Sequence, residues 1–237
     1  MPGLAKTAAI WLGMALLAPG AAAQAILPTA YTGPWQYYVP TAGWDFHALG
    51  GDQNPDYDGL NNGAARFQDA GAFVSVHYDR PAGAVTYWIK GLTFSGGVFQ
   101  VEQSIDGTNW WALAAYAELP ATPVSQTLFP ALAARHLRFI YTERVTGNVG
   151  LDGVSVQALR RPEIGQFEVA GGSALVAVVE TMAGRTYALE RTASLAANPV
   201  VWIEADAAIA DSDPLVLADP GVANAAVGFY RVRDATP

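Results

Sequence analysis

Cysteine is absent from this chain of 237 residues, and histidine occurs at only three positions. Without cysteine the protein has no disulfide bonds, no thiol nucleophile and no cysteine-ligated zinc. His47, His77 and His136 leave little for a histidine-rich metal centre. The fold must therefore be held together by its hydrophobic core or by a bound metal cation.

Charged side chains are also scarce, at 14% of the residues, where about 25% is usual for a globular domain. Acidic residues (21) outnumber lysine and arginine (13), which gives a formal net charge of −8. A polyanion such as DNA would be repelled, so the composition argues against nucleic acid as a partner. A metal cation or an uncharged ligand remains compatible with this charge.

The residues that the chain contains in quantity are those of turns and strands. It has 24 glycines and 15 prolines, together with 7 tryptophans and 10 tyrosines. Abundant turn formers and few charges favour many short β-strands over long helices. The composition therefore predicts an all-β protein.

The first 25 residues have the features of a signal peptide. Lys6 supplies the positive start, and Ile10 to Ala18 forms an apolar run. Two sites satisfy the small-x-small rule of signal peptidase, one ending at Ala23 and one at Ala25. The apolar run is shorter than the ~20 residues that span a bilayer; an uncleaved N-terminal anchor is the alternative. We expect secretion, extracellular or periplasmic, with a helical signal peptide over residues 1–25 and no membrane span.

The rest of the chain alternates apolar and polar residues in short runs between turn signals, which is typical of β-strands. In the first part the predicted strands are Phe73 to Tyr78, Val85 to Leu92, Val98 to Ile105, Trp110 to Tyr116, Gln126 to Phe129, His136 to Arg144 and Val149 to Leu159. The Asp106-Gly107 pair between two such runs predicts a hairpin, because glycine accepts the positive φ of a tight turn. This number of strands is typical of a sandwich or jelly roll.

Arg160-Arg161-Pro162 marks a boundary between two units. The sequence predicts a jelly-roll β-sandwich over residues 26–160 and a small β module over residues 161–237, again with short strands and turns. Two segments have brief helical character, 64–68 and 205–210, and both are predicted to be turns in loops.

Residues 45–159 resemble a bacterial β-sandwich module, the galactose-binding-like jelly roll of secreted proteins. The stretches that carry this resemblance are Phe94–Gly97, Val101–Ser104, Asp106–Trp110, Arg138–Thr142 and Gly147–Asp152. Members of that family act as accessory binding modules, so the resemblance implies binding and no catalysis. Gly153 stands where the family's closing strand usually has a second aspartate.

Residues 164–233 resemble a short module found at the C-termini of many secreted bacterial proteins. Tyr187–Thr192, Leu195, Trp202, Asp219 and Phe229–Arg233 carry this second resemblance. It implies a small fibronectin-type sandwich, and no activity is attached to it.

Acidic and amide side chains alternate along one segment, at Asp52, Asn54, Asp56 and Asp58. Calcium takes about six to eight oxygen ligands from carboxylates, amides and carbonyls, and these residues could supply several. The segment is not an EF-hand, because Tyr57 stands where that loop needs glycine. By analogy with the sandwich family, Asp152 is the predicted distant ligand of a structural calcium ion. The alternative is a loop whose side chains bond their own backbone.

Aromatic residues are the predicted carbohydrate contacts, because exposed flat rings stack on sugars. Trp110 and Trp111 are neighbours and point to opposite faces of a strand. Trp110 matches the tryptophan that commonly follows Asp-Gly-Thr-Asn in the resembling family, which leaves Trp111 as the exposed ring. We predict Trp44, Tyr57 and Trp111 as carbohydrate-binding residues. The alternative is that these rings belong to the core or to an interface between sheets or modules.

No motif of a catalytic site stands out: the chain has no nucleophile elbow, phosphate loop or dinucleotide fingerprint. We therefore predict no catalytic residues and a secreted, non-catalytic binding protein for carbohydrate or another cell-surface polymer. One alternative is a structural or adhesion component that binds another secreted protein. The other is a small glycan hydrolase, which would need two carboxylates across a cleft.

Overall fold

The computed structural model describes residues 23–35, 39–52, 63–221 and 228–236, with the backbone alone at 51 and 52. The described residues form sixteen β-strands and no helix, so the protein is all-β as predicted. The strands of the first unit are β1 (Thr29–Tyr31), β2 (Trp44–His47), β3 (Gly50–Asp52), β4 (Ala64–Phe67), β5 (Phe73–His77), β6 (Ala82–Ser104), β7 (Trp111–Glu118), β8 (Val124–Leu128), β9 (His136–Glu143) and β10 (Thr146–Ala158). Those of the second unit are β11 (Glu163–Ala170), β12 (Ser173–Val179), β13 (Thr186–Thr192), β14 (Ile203–Ile209), β15 (Leu215–Asp219) and β16 (Phe229–Asp234).

The ten strands of the first unit are joined by the unusually long strand β6. Its N-terminal half pairs with β8 and β10, and its C-terminal half pairs with β7 and β9. Between the halves, Thr93 and Gly96 have positive φ values of 52° and 71°, and the pairing is irregular there. Because β6 bends at this point, one strand serves both layers of a sandwich. The order of hydrogen-bonded neighbours along this sheet is β2-β5-β9-β6-β10-β4-β3, and every pair is antiparallel.

The alternation of side chains along each strand separates the core of this sandwich from its outer faces. On β5, Val74 and Val76 are buried, while Phe73, Ser75 and His77 are half-buried on the opposite face. The same alternation on the other strands contributes Tyr87, Ile89, Phe99, Val101, Leu137, Phe139, Val149 and Leu151 to one hydrophobic core.

The second unit consists of two three-stranded antiparallel sheets, β11-β12-β15 and β14-β13-β16. A separate core lies between them, with Val176, Val178, Tyr187, Leu189 and Leu217 all buried. The edge strand β11 is exposed along its whole length.

A fully buried arginine, Arg185, connects the two units. Its Nε donates to the carbonyl of Gly83 at 2.8 Å, and its Nη2 donates to the carbonyls of Ala82 at 2.9 Å and Pro130 at 3.1 Å. Nη1 bonds Asp234 of the second unit at 2.8 Å. The guanidinium therefore joins three carbonyls of the sandwich to the last strand of the chain.

Most predicted strands are present, with two corrections. Residues 64–68 and 205–210 were predicted as turns, but they contribute to β4 and β14. Alanine has the highest intrinsic helix propensity, but tertiary context overrides propensity, and pairing with β10 and β13 decides the conformation here. The runs predicted separately at 85–92 and 98–105 form the single strand β6.

Candidate functional site

A row of polar side chains crosses the outer face of the β2-β5-β9-β6 sheet. Asp45 pairs with Ser75, Ser75 pairs with Arg138, and Arg138 pairs with Glu102. Adjacent strands lie about 4.8 Å apart, so directly opposed side chains are close neighbours. Strand register thus assembles four residues that are far apart in the sequence.

Three residues of this row, Asp45, Ser75 and Arg138, form the floor of a cleft of about 790 Å³. The lining residues come from the N-terminal segment, the loop before β2, strands β2, β5 and β9, and the turn after β6. They are Ala23, Pro40, Thr41, Ala42, Gly43, Trp44, Asp45, Phe73, Ser75, His77, Asp106, Gly107, Trp110, His136 and Arg138. Such a volume is typical of a site for a small molecule or a few sugar units.

The predicted Asp106-Gly107 hairpin turn forms one wall of the cleft. Asp106 Oδ1 accepts hydrogen bonds from the backbone nitrogens of Thr108 and Asn109, both at 2.8 Å. These bonds, that of Asn109 above all, hold the pKa of Asp106 well below its usual range. Nε1 of Trp110 donates to the Gly107 carbonyl at 3.1 Å. The turn therefore fixes the half-buried Trp110 ring against the cleft.

Arg138 is fixed in the cleft floor from two directions. Its Nε donates to Glu102 Oε2 at 2.8 Å, and its Nη2 bonds the same oxygen. The guanidinium carbon lies 4.2 Å from the centroid of the Trp110 ring, within reach of a cation–π interaction. Since Glu102 neutralises Arg138, the floor offers oriented donors and an aromatic ring without excess positive charge.

Two histidines stack beside Arg138. The rings of His77 and His136 are 4.1 Å apart between centroids and 10° from parallel. Burial lowers the pKa of His77, and burial together with the neighbouring His77 lowers the pKa of His136, although Asp106 opposes the latter shift. Both imidazoles are therefore harder to protonate than a solvated histidine side chain. His77 Nε2 lies 2.8 Å from the side-chain amide nitrogen of Gln24.

A second aromatic surface lies at the other end of the β5 segment. The rings of His47 and Phe73 stack at 5.3 Å, and Phe73 lines the cleft. The polar row thus has an aromatic ring on either side. Trp110 contacts Arg138 and His136 on one side, and Phe73 lies on the other side, two residues from Ser75 along β5.

The predicted carbohydrate-binding residues coincide only in part with the residues that line this cleft. Trp44 lines it, but only 8% of the residue is exposed and its Nε1 bonds Thr29 Oγ1 at 3.2 Å. Trp111 is 39% exposed and is not among the lining residues. Tyr57 lies outside the described residues. Their role in sugar binding stays a prediction.

The predicted calcium ligands are described only in part, since Asn54, Asp56 and Asp58 lie outside the described residues. Asp52 ends β3 and pairs with Ala64, while the next residue on β4 pairs with Leu151. The β3-β4-β10 register therefore brings the backbone of Asp52 to within two strands of Asp152. The Asp152 side chain is buried, and its Oδ1 accepts bonds from Trp35 Nε1 at 3.0 Å and Gly153 N at 2.7 Å. Calcium binding stays a prediction.

Sequence reasoning missed Trp110, Arg138 and the histidine pair as cleft residues. The sequence relates Trp110 only to a family position, and it gives the histidines significance only as possible metal ligands. Within the ranges that the structure describes, no group of three or more histidine, aspartate or glutamate side chains could hold a metal. No helix in those ranges has the length and hydropathy needed to cross a membrane.

A comparison with protein-family models finds no match, and a comparison with curated proteins finds none either. Among solved structures, the chain is similar to the K1 cleaved adhesin domain of Lys-gingipain from Porphyromonas gingivalis W83. The identity is 16%, the TM-score is 0.43, and the match covers 55% of this chain and 98% of that one.

Two carbohydrate-binding modules are also similar in structure. A mutant of a family 29 module matches at 9% identity and a TM-score of 0.37, covering 54% of this chain and 91% of that one. The module TmCBM61, solved with β-1,4-galactotriose, matches at 12% identity and a TM-score of 0.35, covering 48% and 88%.

Proposed function

We propose that this is a secreted, non-catalytic binding protein that recognises carbohydrate, or another extracellular polymer rich in hydroxyl groups, through the cleft on the outer β2-β5-β9-β6 face. The observation that carries the proposal is the row from Asp45 to Arg138 with aromatic rings on both sides. Aromatic rings stack on the apolar faces of sugars, and oriented polar groups beside them bind hydroxyls.

The electrostatics of the cleft favour an uncharged ligand over an anionic one. Arg138 is already paired with Glu102, and Asp45 and Asp106 add negative charge nearby. The whole chain is acidic too, with a formal net charge of −8. An anionic polysaccharide would meet repulsion, whereas a neutral glycan would not.

The state of the cleft carboxylates supports binding over hydrolysis. A glycosidase needs a general acid and a second carboxylate in opposition. Of the two carboxylates among the lining residues, Asp106 is committed to capping its turn and has a lowered pKa. Asp45 accepts a bond from the backbone nitrogen of Phe46 at 2.9 Å. Asp106 therefore lacks the raised pKa that a general acid requires at neutral pH.

The test is binding of the chain from Gln24 onward to a glycan array and to insoluble polysaccharides. Trp110→Ala and Trp111→Ala form a matched pair, because the residues are adjacent and only Trp110 lines the cleft. We expect Trp110→Ala to weaken retention at least about tenfold, as removal of a central aromatic contact does. The proposal departs here from the sequence-based prediction for Trp111: because Trp111 does not line the cleft, Trp111→Ala should bind like the wild type.

Two results would overturn the proposal. One is a folded wild-type protein that is retained on no polysaccharide or cell-wall fraction. The other is equal loss of binding in Trp110→Ala and Trp111→Ala, which would place the contact outside the cleft. Circular dichroism of each variant shows that the sandwich remains folded.

A second candidate function, a structural or adhesive role through self-association, is favoured by strand β11. This edge strand exposes Ile164, Phe167 and Val169 at 40%, 47% and 56%, and edge strands offer unpaired backbone groups to another copy. Sedimentation of the wild type and of Phe167→Glu distinguishes the two functions. A dimer that dissociates in Phe167→Glu favours self-association, and a monomer at all concentrations contradicts it.

A further inference from the structure

We propose that the chain is processed between Ala23 and Gln24, so that Gln24 becomes the N-terminal residue, in contact with the cleft residue His77. The sequence alone permits a cut after Ala23 or after Ala25. The structure distinguishes the two, because a cut after Ala23 retains Ala25, whereas a cut after Ala25 removes it although the fold buries it.

Ala25 is an integral part of the sandwich. Only 4% of it is exposed, and it forms a parallel bridge with Tyr78. Its backbone nitrogen donates to the carbonyl of His77 at 2.8 Å, and its carbonyl accepts from the nitrogen of Asp79 at 3.1 Å. Ala25 therefore extends the pairing at the end of β5.

The surroundings of Ala25 are shaped to receive it. Gly43 has a φ of +79°, and a methyl group at this position would collide with the nitrogen of Ala25 and the carbonyl of His77. Two residues further on, Leu27 is 3% exposed and its nitrogen bonds Asp79 Oδ1 at 3.0 Å. A cut after Ala25 would leave the space beside Gly43 empty. The carbonyl of His77 and the backbone nitrogen of Asp79 would lose their hydrogen-bonding partner.

Gln24 and Ala23 are by contrast both exposed. Ala23 lines the cleft, and the Gln24 amide nitrogen lies 2.8 Å from His77 Nε2. A cut between them leaves Ala25 in place and puts the new α-ammonium group of Gln24 in solvent at the cleft edge. The charged group is not buried, so this terminus has no desolvation cost.

The step itself is a hydrolysis. The bond between the Ala23 carbonyl carbon and the Gln24 nitrogen breaks, and water supplies the hydroxyl of the new carboxyl group and the proton of the new amine. An N-terminal glutamine can then cyclise: its amine attacks Cδ, the Cδ–Nε2 bond breaks and ammonia leaves. Cyclisation would free His77 Nε2 from its present partner.

The first experiment exports the full chain from a bacterial host and determines the N-terminus by intact mass and peptide sequencing. We expect residues 24–237, with or without the loss of one ammonia. A product that begins at Ile26, or an uncut chain, overturns the proposal. Ala21→Asp alters only the site that ends at Ala23, so it should reduce the yield of the Gln24 product. Unchanged processing of Ala21→Asp would also contradict us.

The second experiment compares proteins made to start at Gln24 and at Ile26. Loss of the Ala25 contacts should lower the melting temperature by roughly 5 °C. A matched protein that starts at Ala25 keeps the Ala25 contacts but places its α-ammonium group on this buried residue, so it should melt between the other two. Equal melting of all three would remove the structural reason for the cut after Ala23.

Discussion

Nη1 of Arg185 lies 2.8 Å from Oδ2 of Asp234, and both side chains are almost completely shielded from solvent. Three carbonyl groups of the sandwich, at Ala82, Gly83 and Pro130, accept three further N–H bonds from this guanidinium. A buried charge is tolerated only when it is paired and hydrogen-bonded, and Arg185 meets both conditions. The second unit is therefore attached to the sandwich by directional bonds.

We expect Arg185→Ala to lower the free energy of unfolding by about 3–5 kcal/mol, since it leaves buried carbonyls and Asp234 without a partner. Arg185→Lys should also be destabilising, because an ammonium cannot reproduce the planar arrangement of donors. The matched control is Arg160→Ala, whose exposed ion pair with Glu180 spans 3.9 Å. Urea denaturation of the three variants checks the order. A cost for Arg160→Ala as large as that for Arg185→Ala would contradict this account.

Gly43 and Gly71 provide a matched pair for the role of close packing at the N-terminal segment. Both have positive φ, +79° and +88°, but an added methyl meets Ala25 and His77 at Gly43 and open space at Gly71. Gly71→Ala should cost about 1 kcal/mol from backbone strain alone. Gly43→Ala should cost at least about twice as much, because strain and collision add. Thermal denaturation measures the destabilisation of both variants. Equal costs would show that Ala25 shifts to accommodate the added methyl group.

The fold was predictable where apolar and polar residues alternate along the sequence, and where a turn contains residues characteristic of its type. Phe73 to His77 and the Asp106-Gly107 hairpin meet these conditions and were found as predicted. The strand over residues 64–67 does not, because its two adjacent alanines show no alternation of apolar and polar residues. Its pairing with β3 and β10 defines it. Short strands such as β1 and β3 have three residues each, too few for any pattern.

The candidate site was less predictable than the fold. Asp45, Ser75, Arg138 and Glu102 belong to four strands, and only the antiparallel register brings them together. No local signal in one sequence encodes that register. Trp110 illustrates a second difficulty. It lies in the turn before β7, so the alternation of side chains along a strand does not determine where its ring points.

The stacked histidines predict how stability depends on pH. The pKa values of His77 and His136 are lowered in the fold, so the unfolded chain binds protons at higher pH than the native protein does. Stability is therefore fully present above about pH 6.5, the unfolded value, and decreases as the pH falls toward the lowered native values. We expect the urea concentration at the unfolding midpoint to decrease as the pH is lowered from 7.5 to 5.

The double variant His77→Gln, His136→Gln isolates this contribution. It should show a flatter dependence between pH 7.5 and pH 5, since the two groups that gain protons on unfolding are gone. His47→Gln is the control, because His47 stacks on Phe73 away from the pair. An equally steep decrease in the double variant would assign the pH dependence to other groups.

Calcium should stabilise the protein if the segment from Asp52 to Asp58 and Asp152 form the predicted metal site. At a free concentration about 100 times the dissociation constant, the gain is about 2.7 kcal/mol, and chelation should remove it.

Asp152→Asn is a nearly isosteric test: its Oδ1 can still accept from Trp35 and Gly153, but the anionic ligand is lost. We expect the variant to melt at the same temperature with calcium and with chelator, close to the chelated wild type. Asp45→Asn should keep the wild-type calcium response, because Asp45 lies in the cleft and not in this segment. A wild-type melting temperature that does not change on chelation would leave the acidic segment as a loop that bonds its own backbone, and Asp152 as a structural acceptor for Trp35.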